Sequence, residues 1–150
     1  MNKPAINKII HKIKQRTIIS DSNDSDAMTL LLLYLFDWKY ILVYGESILN
    51  IKWRVVDHKI TFAEFSILNA EGNYALSEEV VYHTDECAFI WLFIATKLDK
   101  YPTLNGLVSL VKSTYPFHET GCNNRCIIDL VSLSAKYKET LNVNELIVIE

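Results

Sequence analysis

This sequence predicts a mainly α-helical domain, a compact bundle around two strongly apolar helices with a small β-hairpin or short strands. Three observations carry that expectation. Leu30–Phe36, within Met28–Tyr44, and Cys87–Ala95 are unbroken apolar runs, hydrophobic all round at helical pitch, which marks enclosed helices. Other apolar residues recur at helical spacing: Ile6, Ile9, Ile10 and Ile13, then Leu104, Leu107, Val108 and Val111. Clear period-two alternation is confined to Ile51, Trp53 and Val55 with Lys52 and Arg54 between them, a short half-buried strand.

Taken in order, the isoleucine stripe predicts an amphipathic basic first helix, with Pro4 in its first turn, where a missing N–H costs nothing. Residues 20–26, SDSNDSD, read as a polar connector that also supplies caps and acids to the central helix. Met28–Tyr44 is too long for a strand and ends at Gly45. A membrane span needs roughly 18–20 consecutive apolar residues. Asp37 and Lys39 interrupt well short of that. After the Trp53 strand, Thr61 to Glu64 has capping-box spacing, so a short helix is expected over 61–69, then a turn at Glu71-Gly72-Asn73 and a second strand at Val80-Val81-Tyr82. Thr84-Asp85-Glu86 caps the second apolar helix, which runs to about Leu98 as the natural partner of the first. Pro102-Thr103 starts the next helix, residues 114–124 read as a loop, and Ile127–Tyr137 as a final helix. Leu146–Ile149 suits a terminal strand or an extension of the helical core, and both remain open.

The 150 residues suit one domain, and half of them are hydrophobic, which excludes disorder. The net charge of −3 gives no general reason to bind nucleic acid. The charge is uneven: Lys3, Lys8, Lys12, Lys14 and Arg16 lie in the first 16 residues without an acid. That helix is a candidate phosphate-binding arm, although a solvated face explains it without aromatic interleaving. Three cysteines and no secretory signal point to a reducing cytoplasm.

No assembled reactive motif emerges. His118-x3-Cys122-x3-Cys126 and His83-x3-Cys87 hold zinc-type ligands, but without the paired short knuckles of structural zinc sites; thiols and packing residues explain them. Cys87 lies beside Asp85 and Glu86, which disfavour a thiolate. Glycine-rich phosphate loops and hydrolase motifs are missing, so neither cofactor nor metal is expected. Asp37 inside an apolar helix must find a partner or become neutral. It reads as a structural anchor, together with Trp38 and Trp53, in preference to a catalytic acid.

Tyr34-Leu35-Phe36-Asp37-Trp38, then Gly45 and Trp53, resemble the opening of the Panacea domain, the SocA-like antitoxin family. Leu104–Phe117, NGLVSLVKSTYPF in its main part, is similar to that family's Leu-x-x-Leu-Val-x-Ser-Thr-Tyr-Pro segment, and Ile128-Asp129-Leu130 with Ala135 and Tyr137 to its closing helix. The order of these segments is more specific than any one of them. On this resemblance, residues 26–139 are the Panacea-like core, flanked by the basic helix of 1–19 and a C-terminal segment of 140–150. It implies an antitoxin, common in prophages and mobile elements, that neutralises a protein toxin by direct binding and is not an enzyme.

The resemblance breaks at His58-Lys59-Ile60, where the family has His-Gly-Pro. Loss of Gly and Pro removes a permissive and a fixed backbone position from an exposed loop, so the loop is remodelled or the chain has diverged in what it binds. Lys52, Arg54, His58 and Lys59 form the densest basic patch outside the first helix, a candidate surface for an acidic protein partner with Arg54 as its anchor. A phage inhibitor of a host defence protein and a nucleic-acid regulator using the first helix are the alternatives.

Overall fold

The computed structural model describes residues 1–17, 22–72, 85–120 and 125–141, with side chains for all but 15–17, 22–24, 71–72, 85–91 and 93 of them. The N-terminal stripe forms α1 (Lys3–Thr17), whose four isoleucines are at most 6% exposed. Asn2 caps it, its Oδ1 accepting from Ala5 N at 3.2 Å. The Asn2 side-chain amide also donates to Ile48 O at 3.1 Å, which fastens α1 to the loop beyond the next helix.

That helix, α2 (Ser22–Tyr44), is the axis of the fold. It begins inside the stretch read as a connector: Ser22–Asp26 are its first turns. Polar and acidic residues favour a helix N-terminus because they accept its unpaired N–H groups, so they resemble a linker in sequence. Every residue from Leu31 to Trp38 is buried. The segment Ser25–Tyr44 is long and apolar enough to cross a membrane, but 67% of its most apolar window is buried inside the protein. α2 stops at Gly45, which adopts φ of 80° and donates its N–H to Ile41 O at 2.7 Å.

Two short strands follow, β1 (Trp53–Val56) and β2 (Lys59–Thr61). Asp57 and His58 turn the chain with φ of 53° and 68°, the double left-handed conformation of a two-residue hairpin. Lys59 and Ile60 are therefore strand residues, paired with Val56 and Val55. The second strand lies here; Val80–Tyr82 is outside the described residues. The next helix, α3 (Phe65–Gly72), starts later than expected, after a turn closed by Phe65 N to Phe62 O at 3.2 Å, and it includes Glu71 and Gly72.

The second apolar run lies in α4 (Asp85–Lys100), which packs against α2. Ile94 and Ala95 are buried, yet Leu92 is 65% exposed, so α4 is not enclosed on every side. In α5 (Leu104–Lys112), Thr103 is the N-cap, its hydroxyl accepting from Gly106 N at 3.1 Å. The expected loop contains a helix, α6 (Tyr115–Thr120), with Pro116 in its first turn. The expected final helix splits into a strand, β3 (Arg125–Ile128), and α7 (Leu130–Leu141). Asp129 separates them: its carboxylate accepts from Ser132 N at 3.2 Å and from Ser132 Oγ at 2.9 Å, capping α7. Leu146–Ile149 lies outside the described residues.

The architecture is thus mainly α, with seven helices among the described residues and a three-stranded antiparallel sheet of order β2-β1-β3. α1, α4, α5 and α7 all pack on α2. Leu33 is fully buried within it. Leu33→Ala should cost roughly 2–5 kcal/mol through the cavity it leaves. Leu92→Ala, on the exposed side of α4, should change stability by less than about 1 kcal/mol. Urea denaturation of both variants checks this contrast.

Candidate functional site

One carboxylate joins the helical axis to the sheet. Asp37, on α2, is 1% exposed. One of its oxygens accepts from Ser47 Oγ at 3.0 Å and the other from Trp53 Nε1 at 2.8 Å. Ser47 Oγ in turn accepts from Leu49 N at 3.2 Å and Asn50 N at 2.9 Å, so the whole loop after Gly45 folds around the carboxylate. Trp53, fully buried, meets Tyr34 edge-on at 5.5 Å and Phe62 at 5.0 Å. Tyr34 reaches the hydroxyl of Thr114 at 2.9 Å, and that hydroxyl donates to Val111 O at 2.6 Å. β1 is therefore tied through α2 to the end of α5.

Burial outweighs these two hydrogen bonds and pushes the Asp37 carboxyl up to about 6. A like cause raises the Tyr34 hydroxyl above its ordinary range. Trp38, the third expected anchor, faces a different neighbour: its ring lies 6.1 Å from Tyr137, which packs 4.8 Å from Tyr115 and so links α2, α6 and α7.

The pleat divides the sheet. Trp53, Val55, Ile60 and Ile128 are buried on its inner face. On the outer face, Arg54 stands opposite Thr61 on one side and Ile127 on the other, and Val56 stands between Lys59 and Arg125. Lys52 continues the same alternation. Lys52, Lys59 and Arg125 are exposed, and Ile127 is 67% exposed. Arg54 is half-buried, and its Nε is shielded from solvent without a hydrogen-bond partner among the described residues. His58 occupies the hairpin tip, exposed beside Asp57. Four cations and one large apolar side chain thus share a rigid surface on a protein of net charge −3.

No family model, curated protein or solved structure matches this chain.

Sequence reasoning singled out Lys52, Arg54 and Lys59 and missed Arg125, which fell between the expected loop and helix, and Ile127, which was expected to begin a helix. The signal was the Asp129-x-x-Ser132 cap, which puts the helix start at Leu130, together with two β-branched residues before it. Ser47 and Asn50 were also missed, since hydroxyl-centred turns leave only a faint pattern. Among the described residues, no group of three His, Cys, Asp or Glu side chains comes together to hold a metal. His118 is exposed on α6; His83 and Cys122 lie outside the described residues, as does the Cys87 side chain. Cys126 is disulfide-bonded, which corrects its reading as a free thiol.

Proposed function

We propose that this chain is a non-catalytic protein-interaction domain, a divergent Panacea-like antitoxin that neutralises a toxin or other target protein by direct binding. The outer face of the sheet carries this reading. Arg54 stands between Thr61 and Ile127, Val56 between Lys59 and Arg125, and Lys52 lies further along the same strand, on a surface backed by Trp53 and Asp37, which suits a partner presenting carboxylates beside an apolar contact. The arginine at its centre is the residue type most able to anchor such a contact. Asp37 supports a binding role over catalysis: its donors are an indole and a hydroxyl, with no histidine between Ser47 and the carboxylate to act as a base. The basic face of α1 is a weaker candidate, because Lys8, His11 and Lys14 already engage groups within the protein, Lys14 lying 3.7 Å from Asp26.

In this reading the protein works in the cytoplasm. The Cys126 disulfide opposes that placement, since stable disulfides are rare there, and mass spectrometry of alkylated protein from cells would decide the redox state.

Capture of the partner by wild type and by the Arg54→Glu/Lys59→Glu double variant tests the surface. The double variant should retain its circular dichroism spectrum and lose at least about thirtyfold in affinity. Unchanged affinity in a folded variant would place the interface elsewhere. Binding to arbitrary DNA that falls steeply with salt would instead assign the basic face to phosphates.

A further inference from the structure

Beside the basic face lies a cavity of about 330 Å³, open to solvent, whose lining includes Asp37, Ser47 and Asp129. Its remaining wall is largely aliphatic, including Ile41, Ile51, Ile127 and Val131, with Lys52 and Asn50 completing it. Asp37 is buried and, among the described residues, has no cationic partner; neither it nor Asp129 pairs with Lys52. A buried carboxylate that lacks a countercharge is the costly half of an ion pair. Each of its oxygens accepts one hydrogen bond and has capacity for another.

The geometry points to this cavity as the receptor for a lysine or arginine side chain of the docked protein, its aliphatic stem lying along the isoleucines and its cation placed between Asp37 and Asp129. The assignment of the occupant to a protein rests on the interaction reading above; the chemistry of the cavity does not. The cavity adjoins Ile127, an exposed apolar side chain of the outer face, so one partner can cover both. A single basic side chain among acidic ones would fix the partner's orientation, because displaced onto the outer face of the sheet it would meet Arg54, Lys59 or Arg125. Ion pairing would also bring the Asp37 carboxyl down from its raised value.

The test needs no partner. Butylguanidinium supplies the stem and cation, butylurea the same shape without charge, and pentanoate the opposite charge. Each is titrated into the full chain while the Trp53 indole N–H, which contacts Asp37, is followed by NMR. Butylguanidinium should shift that resonance saturably, with butylurea at least tenfold weaker. Asp129→Asn, which keeps the α7 cap, should weaken butylguanidinium several-fold, and Val131→Trp, which fills the mouth, should abolish the response with the fold intact. Equal responses to butylurea and butylguanidinium, a preference for pentanoate, or no saturable shift would each overturn the proposal. Spermidine saturating far below butylguanidinium would reassign the cavity to a free polyamine and remove the protein occupant. A positive butylguanidinium result alongside unimpaired capture by the Arg54→Glu/Lys59→Glu variant would separate this site from the proposed sheet surface.

Discussion

Trp53→Ala is expected to be the most damaging single substitution on the sheet. Emptying a fully buried indole site costs roughly 3–5 kcal/mol, and Asp37 also loses one of its two donors, a further penalty of about 1–3 kcal/mol. Together these approach the whole stability of an ordinary domain, about 5–15 kcal/mol. Trp53→Phe separates the two contributions. It keeps aromatic contact with Tyr34 and Phe62 but removes the N–H, so it should lose about 1–3 kcal/mol. Urea denaturation of both variants measures this; a Trp53→Phe protein as stable as wild type would show that the indole hydrogen bond contributes nothing.

The second large effect depends on pH. The Asp37 carboxyl rises from 3.8 to about 6 on folding. A raised carboxyl binds its proton more tightly in the fold than in the unfolded chain, so its contribution to stability grows as pH falls through about 6 and levels off near 3.8. That gap corresponds to about 3 kcal/mol. Asp37→Asn abolishes this dependence and introduces a different fault. Trp53 Nε1 and Ser47 Oγ both donate to Asp37, and Ser47 Oγ already accepts two backbone amides. An asparagine NH2 facing either group therefore meets a site with no free acceptor, at a cost of about 1–3 kcal/mol. At pH 7.5 the relief of a buried charge offsets that fault, and the variant should be neutral to modestly stabilised. By pH 4 the wild-type carboxyl is protonated, and the variant should be less stable by about 1–3 kcal/mol. Denaturant titrations of both proteins across this range give the difference directly; one that stays constant with pH would contradict the raised carboxyl.

Much of the helical frame was legible because burial writes a strong pattern. The isoleucines of α1 and the run from Leu31 to Trp38 admit few other arrangements. The alternation around Trp53 marked β1 for the same reason. Elements defined by caps and turns were harder to place. Polar residues at the start of α2 look the same in a helix cap and in a linker, and Ile127-Ile128 continue an apolar pattern that serves a strand or a helix equally well. The hairpin partner was missed because Asp57 and His58 replace the usual glycine in a left-handed turn. The candidate site was half legible: its basic residues on β1 and β2 are close in sequence, whereas Arg125, Ile127 and Asp129 come to it only through long-range pairing of β3. The need for Asp37 to find a partner followed from its apolar surroundings, but its donors did not, since Ser47 reaches it only through the folded loop.

Hydrogen–deuterium exchange on the captured complex tests the docking surface most directly, because it reads the interface without changing a residue. The partner should protect backbone amides in residues 52–61 and 125–131, the hairpin and the β3–α7 junction, while α1 and α4 exchange as in the free protein. Protection confined to α1, with the sheet unchanged, would contradict the account and move the binding surface to the basic N-terminal helix.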